Sequence, residues 1–157
     1  MKIVEYKETY AEAISHIITQ NLLEVNSKDY GIDYMKKIAT HFTPEEVKKN
    51  FPKRDKVYVA LKGNTVIGTA SITESNEHIE GEYWILSVFV DISYHHQGIG
   101  RALLEKIEEY AKTIPVKRLM IPASIHGHKF YYKLGYRYVS GKPELNKEKE
   151  YIMEKRF

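Results

Sequence analysis

Two glycines, Gly98 and Gly100, stand between an apolar run and an amphipathic segment. The apolar run, residues 84–90, is rich in β-branched and aromatic residues and predicts a central strand covered on both faces. The next segment predicts a helix whose apolar residues form one stripe: Leu103, Leu104, Ile107, Tyr110 and Ala111. A glycine loop between a strand and a helix can bind phosphate, because the backbone approaches closely and the first helical amides are unpaired. A diphosphate would fit there.

The glycine pair has a second interpretation, a tight turn with close packing, and the pair alone does not decide between the two. Two known phosphate loops are excluded. No Gly-Lys-Ser/Thr follows, as a P-loop requires, and the spacing and position of the glycines do not match the dinucleotide-binding motif.

Composition restricts the class of protein. A chain of 157 residues predicts a single domain over residues 1–157, able to bury a core without metal or disulfides. The absence of cysteine excludes a thiolate zinc site and a cysteine nucleophile. A net charge of +3 with scattered basic residues predicts no nucleic-acid partner. No signal-peptide pattern or membrane-length apolar run occurs, so we expect a cytoplasmic protein without a membrane partner.

The remaining segments predict a mixed α/β sheet with helices on both faces. Strands are expected at residues 2–6, 57–62, 66–73, 84–90, 118–122, 136–140 and 150–157. Val66, Gly68, Ala70 and Ile72 are expected to share one face of their strand. Further helices are expected from a capping box at Thr9 through residue 25, over 33–42, from Thr43-Pro44 toward 51, and through Phe130 up to Gly135.

Residues 88–104 resemble motif A of the GNAT superfamily of acyl-CoA-dependent N-acetyltransferases, in which a strand leads into Arg/Gln-x-x-Gly-x-Gly/Ala. Residues 129–136 are similar to the Phe-Tyr-x-x-x-Gly-Phe signature of the same family, at the expected distance downstream. The resemblance extends over nearly the whole chain. It implies a GNAT-type fold with a mixed, mostly antiparallel central sheet of six to seven strands.

The resemblance also implies acetyl-CoA, or a related acyl-CoA, as co-substrate. The family pattern assigns the pyrophosphate to backbone amides of Gln97, Gly98, Ile99, Gly100, Arg101 and Ala102. The backbone of Val88, Phe89 and Val90 is expected to pair with the pantetheine arm like an added strand. A main-chain amide near Val88 or Phe89 is expected to hold the oxyanion.

Some cofactor positions depart from the family pattern. His95 stands where Arg or Gln is usual and His96 where glycine is common, which predicts a weaker or pH-dependent phosphate contact. Ser124 stands where many members have Asn, and Gly127 where many have Ala, near the expected thiol position. The pairs His95-His96 and His126-x-His128 lack a third ligand at recognisable spacing, so no metal site is predicted.

Two side chains are candidate catalytic groups. Glu82 precedes the central strand and, on a regular strand, shares a face with Trp84, Leu86 and Val88, so it is the candidate base for the amine; a solvated strand end is the alternative. Tyr131 occupies the motif position of a proton donor to the leaving thiolate, with packing as the alternative. Its neighbour Tyr132 serves as a control.

The resemblance predicts transfer of an acetyl group from acetyl-CoA to a small-molecule or peptide primary amine by direct attack in a ternary complex. The alternative is a non-catalytic acyl-CoA-binding or regulatory module on the same fold. Neither the acceptor nor the acyl preference follows from the sequence. A homodimer is an arrangement that the family resemblance allows.

Overall fold

The computed structural model describes all 157 residues and contains one seven-stranded sheet. The strands are β1 (Lys2–Glu5), β2 (Lys56–Lys62), β3 (Thr65–Glu74), β4 (Glu82–Val90), β5 (Arg118–Ala123), β6 (Arg137–Tyr138) and β7 (Tyr151–Arg156). Their order across the sheet is β1-β2-β3-β4-β5-β7-β6. Only β4 and β5 pair in parallel; all other neighbours are antiparallel. The predicted fold class is confirmed.

Six α-helices accompany the sheet: α1 (Ala11–Asn21), α2 (Ser27–Tyr30), α3 (Ile32–Ala39), α4 (Pro44–Asn50), α5 (Ile99–Ala111) and α6 (His128–Lys133). A π-helical turn, Leu22–Asn26, joins α1 to α2, so the helix predicted through residue 25 changes its winding after residue 21. Short 3₁₀ turns follow β1, α3, α4 and β4.

Two apolar cores lie on opposite faces of the sheet. The alternation of β2 shows this, because Tyr58 and Ala60 belong to one core while Val57 and Val59 belong to the other. The first core contains the apolar stripe of α5, and the second contains the inward residues of α1 and α4. Each fully buried Leu or Ile contributes about 1.5–3 kcal/mol of transfer free energy, so these stripes hold the helices on the sheet.

Several local sequence signals are confirmed. Thr43 caps α4, since its Oγ1 accepts from the Glu46 amide at 3.3 Å, and Pro44 is the first helical residue. The turn Gly63-Asn64 joins β2 to β3, and Gly135 follows α6 with a φ of 100°. The capping box predicted at Thr9 is wrong, because a 3₁₀ turn, Glu8–Tyr10, occupies that position and α1 has no side-chain cap.

An irregularity in β3 changes which residues share a face. The pairing with β2 shifts between Ala60 and Leu61, which leaves Ile67 without a partner. Val66 therefore joins the second core while Ala70 and Ile72 face the first. The prediction that Val66 shares a face with these residues is wrong, since the extra residue inverts the alternation.

Strands β4 and β5 run side by side only at their beginnings. They pair from Glu82–Arg118 to Trp84–Met120, and beyond this point β5 pairs with β7 alone. Pro122 lies in the half of β5 that does not pair with β4. Its missing N–H therefore removes no hydrogen bond between these two strands. The two strands thus open a cleft in the middle of the sheet.

A buried ion pair joins β4 and β5 just before they separate. Arg118 donates to the Glu82 carboxylate at 2.6 Å, and the Trp84 indole N–H donates to it at 3.2 Å. Burial by itself would raise the pKa of Glu82, but the hydrogen bonds from Arg118, Ser75 and Trp84 outweigh it and lower the pKa. The carboxylate is consequently held ionised by the fold.

We expect Glu82→Gln to lower the free energy of unfolding by about 1–3 kcal/mol at neutral pH, because it removes a charged hydrogen bond from a buried site. Because the folded-state pKa is depressed, this contribution is present above the unfolded pKa of about 4.3 and lost as the pH falls through the folded value. The difference from wild type, measured by urea unfolding, should shrink at low pH. Glu80→Gln, at an exposed carboxylate near Lys117, is the matched control. An unchanged difference at low pH would contradict this account.

Candidate active site

A bulge in β4 shapes the wall of the cleft. Ser71 pairs with Leu86 and Thr69 with Phe89, so Ser87 and Val88 together face one residue of β3. Ser87 has a φ of 54°, in the left-handed region that side chains disfavour. The extra residue inverts the alternation, so Val88 packs against the first core and Phe89 against the second.

The glycine loop leaves a row of unpaired amides at the start of α5. Gly98 is the N-cap with a φ of 81°, and the helix begins at Ile99. No backbone or side-chain acceptor takes the N–H groups of residues 97–101, whereas the Ala102 amide donates to the Gly98 carbonyl at 3.1 Å. The expected cradle is therefore available over 97–101, and the inclusion of Ala102 is wrong because its amide closes the first helical turn.

The two glycines serve different physical purposes. A Cβ on Gly98 would meet open space, so glycine is favoured there by the left-handed backbone. A Cβ on Gly100 would lie 3.1 Å from the Phe130 ring, so glycine is favoured there by the close packing of α5 against α6, and a larger residue would require Phe130 to shift. The tight turn of the second interpretation is present at Gly98 and its close packing at Gly100, while phosphate binding by the loop remains a prediction.

The two histidines of the loop also lie at the cleft. His95 Nε2 lies 2.8 Å from the Val90 carbonyl, which can only accept, so this nitrogen carries the proton. His96 has a φ of 62°, which explains why glycine suits this position. The His95 ring thus ties the loop to the end of β4, and its expected contact with phosphate remains a prediction.

A cavity of about 460 Å³ lies in front of this loop and is named here the glycine-loop cavity. All the predicted cofactor-binding residues except Gln97 and Ala102 line it. Its basic side chains are Arg101, Lys129 and Lys133, which favour an anionic ligand. Asn21 also lines the cavity and fastens α1 to β4 by donating to the Val90 carbonyl at 2.8 Å.

Another cavity of about 460 Å³ opens on the other side of the bulge, and we call it the second cavity. One wall is apolar and comes from the helical segment between β1 and β2: Leu22, Tyr30, Tyr34, Met35, Ile38 and Phe42. Arg54, Glu148 and Glu150 supply its charges. Sequence reasoning identified none of these three, since no local motif surrounds them.

The two cavities meet at the bulge. The residues that line both are Asn26, Val88, Phe89, Ser124 and Tyr131. Four of these were predicted as site residues, and Asn26 was not. It is buried and lies at the end of the π-helical turn, a kind of irregularity that often marks functional sites. A ligand in either cavity would therefore come within reach of the same side chains.

Tyr131 is buried at the junction of the two cavities. It is 8% exposed, lines both cavities, and its hydroxyl has no hydrogen-bond partner within the protein. Burial raises the pKa of Tyr131, so the phenol stays protonated at neutral pH. Tyr132, in contrast, is exposed and stacks on Tyr138. Only the first of the two tyrosines is positioned for chemistry in the cleft.

Glu150 is a carboxylate beside the junction. It directly precedes Tyr151, which pairs with Ala123, and this places it near Ser124 on the β5 side of the cleft. Burial raises the pKa of Glu150, and the nearby Glu148 raises it further. Tyr30 supports this region, accepting from the Ile125 amide at 3.0 Å and donating to the Lys149 carbonyl at 2.8 Å.

Glu82 does not fit the predicted role of general base. It begins β4, roughly 20 Å along the strand from Val88 at about 3.3 Å per residue, and it lines neither cavity. Its carboxylate is bound by Arg118. The bulge at Ser87 also places Val88 on the opposite face, so the shared face assumed from regular alternation is wrong.

No three His, Asp or Glu side chains of the protein come together in a way that could hold a metal ion. The two downstream histidines, His126 and His128, do not come together as ligands; the His128 ring packs 4.1 Å from that of Tyr151. None of the helices has the length and apolar character needed to cross a bilayer.

Comparison with solved structures supports the same architecture. The PaiA N-acetyltransferase of Thermoplasma acidophilum, solved in complex with coenzyme A, aligns over 100% of both chains with a TM-score of 0.82 and 20% identity. A GCN5-related N-acetyltransferase of Rhodopseudomonas palustris aligns over 99% of this chain and 95% of its own, with a TM-score of 0.79 and 16% identity. A GNAT-family acetyltransferase of Streptococcus pneumoniae covers 99% and 98%, with a TM-score of 0.76 and 19% identity.

These identities establish the fold only. No curated protein sequence matches the chain. The model of the acetyltransferase (GNAT) family matches residues 19–136, a segment that includes the cleft, the glycine loop and α6. This chain therefore belongs to the GNAT family of acetyltransferases.

Proposed function

We propose that this protein transfers an acetyl group from acetyl-CoA to a primary amine by direct attack in a ternary complex. The observation that carries the proposal is the meeting of two cavities at Val88, Ser124 and Tyr131. One cavity has free amides and basic side chains suited to a phosphate-bearing donor. The other has an apolar wall and carboxylates suited to an amine.

Acetyl-CoA would supply the thioester, and this chain would hold it mainly through its backbone. The free amides of residues 97–101 fit a pyrophosphate, because unpaired N–H groups at a helix N-terminus bind anions. The β5 side of β4 has no strand partner from Ile85 onward, which fits an extended arm lying along Val88–Val90. The coenzyme A bound to the Thermoplasma relative agrees with this assignment.

The acceptor amine must lose a proton before it can attack, because an alkyl amine with a pKa of about 10.4 is mostly charged at neutral pH. We assign the base to Glu150 in place of Glu82, directly or through water. It lies beside the junction in the second cavity, and its raised pKa makes it a better proton acceptor than an exposed glutamate.

The remaining steps concern the charge that develops on the thioester. Of the adjacent Val88 and Phe89 amides, the one that faces the unpaired cleft side of β4 would stabilise the oxyanion. The Tyr131 hydroxyl would donate its proton to the leaving thiolate, since burial keeps the phenol protonated and its hydrogen is not engaged elsewhere. Ser124 Oγ accepts from the Gly127 amide at 3.0 Å, which leaves its own hydrogen free toward the cavities.

We expect acetyl-CoA to stabilise the fold against thermal unfolding, by about 2.7 kcal/mol at about 100 times its Kd. Gly98→Glu should abolish the shift, because its carboxylate would occupy the row of free amides. Gly63→Glu is the matched control, since Gly63 also has a positive φ and open space but lies in the β2–β3 turn. Equal shifts in both variants would contradict the cradle.

We expect Tyr131→Phe to lower kcat by about 10²-fold or more while Tyr132→Phe leaves it near wild type, because only Tyr131 can donate a proton in the cleft. Release of coenzyme A thiol measures the rate without protein background, since the chain has no cysteine. An unchanged kcat in Tyr131→Phe would reject the assignment. Acetyl-CoA binding without turnover of any amine would instead support the non-catalytic acyl-CoA-binding alternative.

We expect Glu150→Gln to lower kcat at neutral pH by about 10²-fold and to remove the acidic limb of its pH profile. In wild type, activity should fall with decreasing pH as Glu150 is protonated. This fall should occur at a higher pH than for an ordinary glutamate, because the pKa of Glu150 is raised. Glu144→Gln is the control, since Glu144 is exposed in the same loop and pairs with Lys142. A retained acidic limb in Glu150→Gln would show that another group titrates.

A further inference from the structure

Arg54 is a cation in the second cavity for which the protein provides no counter-ion. Its guanidinium donates from Nη1 to Ser71 Oγ and to Ser87 Oγ, each at 2.9 Å, and both acceptors are neutral. None of the ion pairs in the structure includes it. Burial lowers the pKa of Arg54 to about 10, and no acidic neighbour offsets this. Arg54 is partly buried, and taking a charge without a counter-ion even partly out of water has a cost that an anionic ligand would offset.

The guanidinium is held in a fixed orientation. Its carbon lies 4.2 Å from the centre of the Phe51 ring, which is itself buried. Ser71 donates its own hydrogen to the Leu86 carbonyl at 2.7 Å, so its oxygen must face Arg54 as an acceptor. The strained bulge residue Ser87 supplies the other acceptor. The side chain is thus aligned by the same bulge that positions Val88.

Most of the donors of Arg54 remain unused. A guanidinium has five N–H groups, and the two on Nη1 are occupied, so those on Nη2 and Nε have no protein acceptor. The fork of these donors matches a carboxylate or a phosphate in a bidentate arrangement. Arg54 lines the second cavity and not the glycine-loop cavity, so the anion is not expected to be the pyrophosphate of the donor.

The charges of the second cavity divide between its two sides. Arg54 precedes β2 and contacts β3 and β4, whereas Glu148 and Glu150 precede β7 on the β5 side. They form no ion pair across the space. A ligand with an amine toward Glu150 and an anionic group toward Arg54 would complement both sides.

We propose that the acceptor of this enzyme carries a carboxylate or a similar anionic group beside its primary amine, and that Arg54 binds this group in the second cavity. This inference rests on the proposed acetyl transfer, whose amine it specifies. It assigns the acceptor to the class of amino acids and other anionic amines, in preference to simple alkylamines and polyamines.

The test compares amines that differ only by the anionic group: lysine with cadaverine, phenylalanine with phenethylamine, and O-phosphoethanolamine with ethanolamine. Thiol release gives kcat/KM for each. We expect wild type to favour an anionic member by about tenfold or more, and Arg54→Met to remove the preference, because a hydrogen bond to a charged group is lost. Arg54→Lys should retain part of it. Arg156→Met, at an exposed arginine outside both cavities, is the control.

A second readout keeps the inference independent of turnover. Thermal unfolding of the coenzyme A complex is measured with each amine, for wild type and Arg54→Met, and the shift from coenzyme A alone verifies that the variant is folded. If the anionic amines stabilise wild type more than their uncharged partners do, and Arg54→Met loses this difference, the inference is supported. This holds even if no amine is acetylated, and in that case only the proposed acetyl transfer fails. The inference is overturned if the uncharged amines have an equal or higher kcat/KM. It is also overturned if no pair shows a difference in turnover or in thermal shift that depends on the anionic group.

Discussion

The cleft depends on the separation of two neighbouring parallel strands. Strands β4 and β5 are joined at their beginnings by three residue pairs and by the buried Glu82–Arg118 ion pair, and they part after Trp84 and Met120. A sheet that remained paired would have no room for ligand, since strands lie about 4.8 Å apart. The separation leaves one edge of each strand unsatisfied inside the domain, and backbone polar groups in such a place need a partner. A ligand with an extended amide chain provides one.

The site divides its work between main chain and side chains. The glycine loop presents amides of residues 97–101, so it tolerates the unusual His95 and His96 as long as the backbone keeps its path. At the junction the chemistry needs particular side chains, and two of the residues that line both cavities lie at irregular backbone: Asn26 ends the π-helical turn, and Val88 belongs to the bulge with Ser87. Irregular backbone thus occurs where the two substrates would meet.

What could be predicted from the sequence was local. The glycine loop before α5, the Thr43 cap and the Gly63-Asn64 turn depend on neighbours within a few residues, and the apolar stripe of α5 repeats with the helical period. The bulges in β3 and β4 could not be predicted, because both strands pack on both faces of the sheet, and without a clear apolar–polar alternation a one-residue shift leaves no trace in the sequence. This explains the misplacement of Glu82. Arg54, Asn26 and Glu150 are distant along the chain and meet only through tertiary packing.

The electrostatics of the second cavity connect stability to specificity. An arginine whose neighbours are two hydroxyls and an aromatic ring gains less from folding than one paired with a carboxylate, so the position of Arg54 costs the free protein stability. Strain at Ser87 adds to that cost. The Glu82–Arg118 pair, in contrast, is fully compensated and lies at the closed end of the same strands. The charged groups that form an ion pair, Glu82 and Arg118, lie where β4 and β5 are joined, whereas the unpaired Arg54 and Glu150 lie where the strands separate. A ligand that carries both an anionic group and an amine would neutralise these unpaired charges.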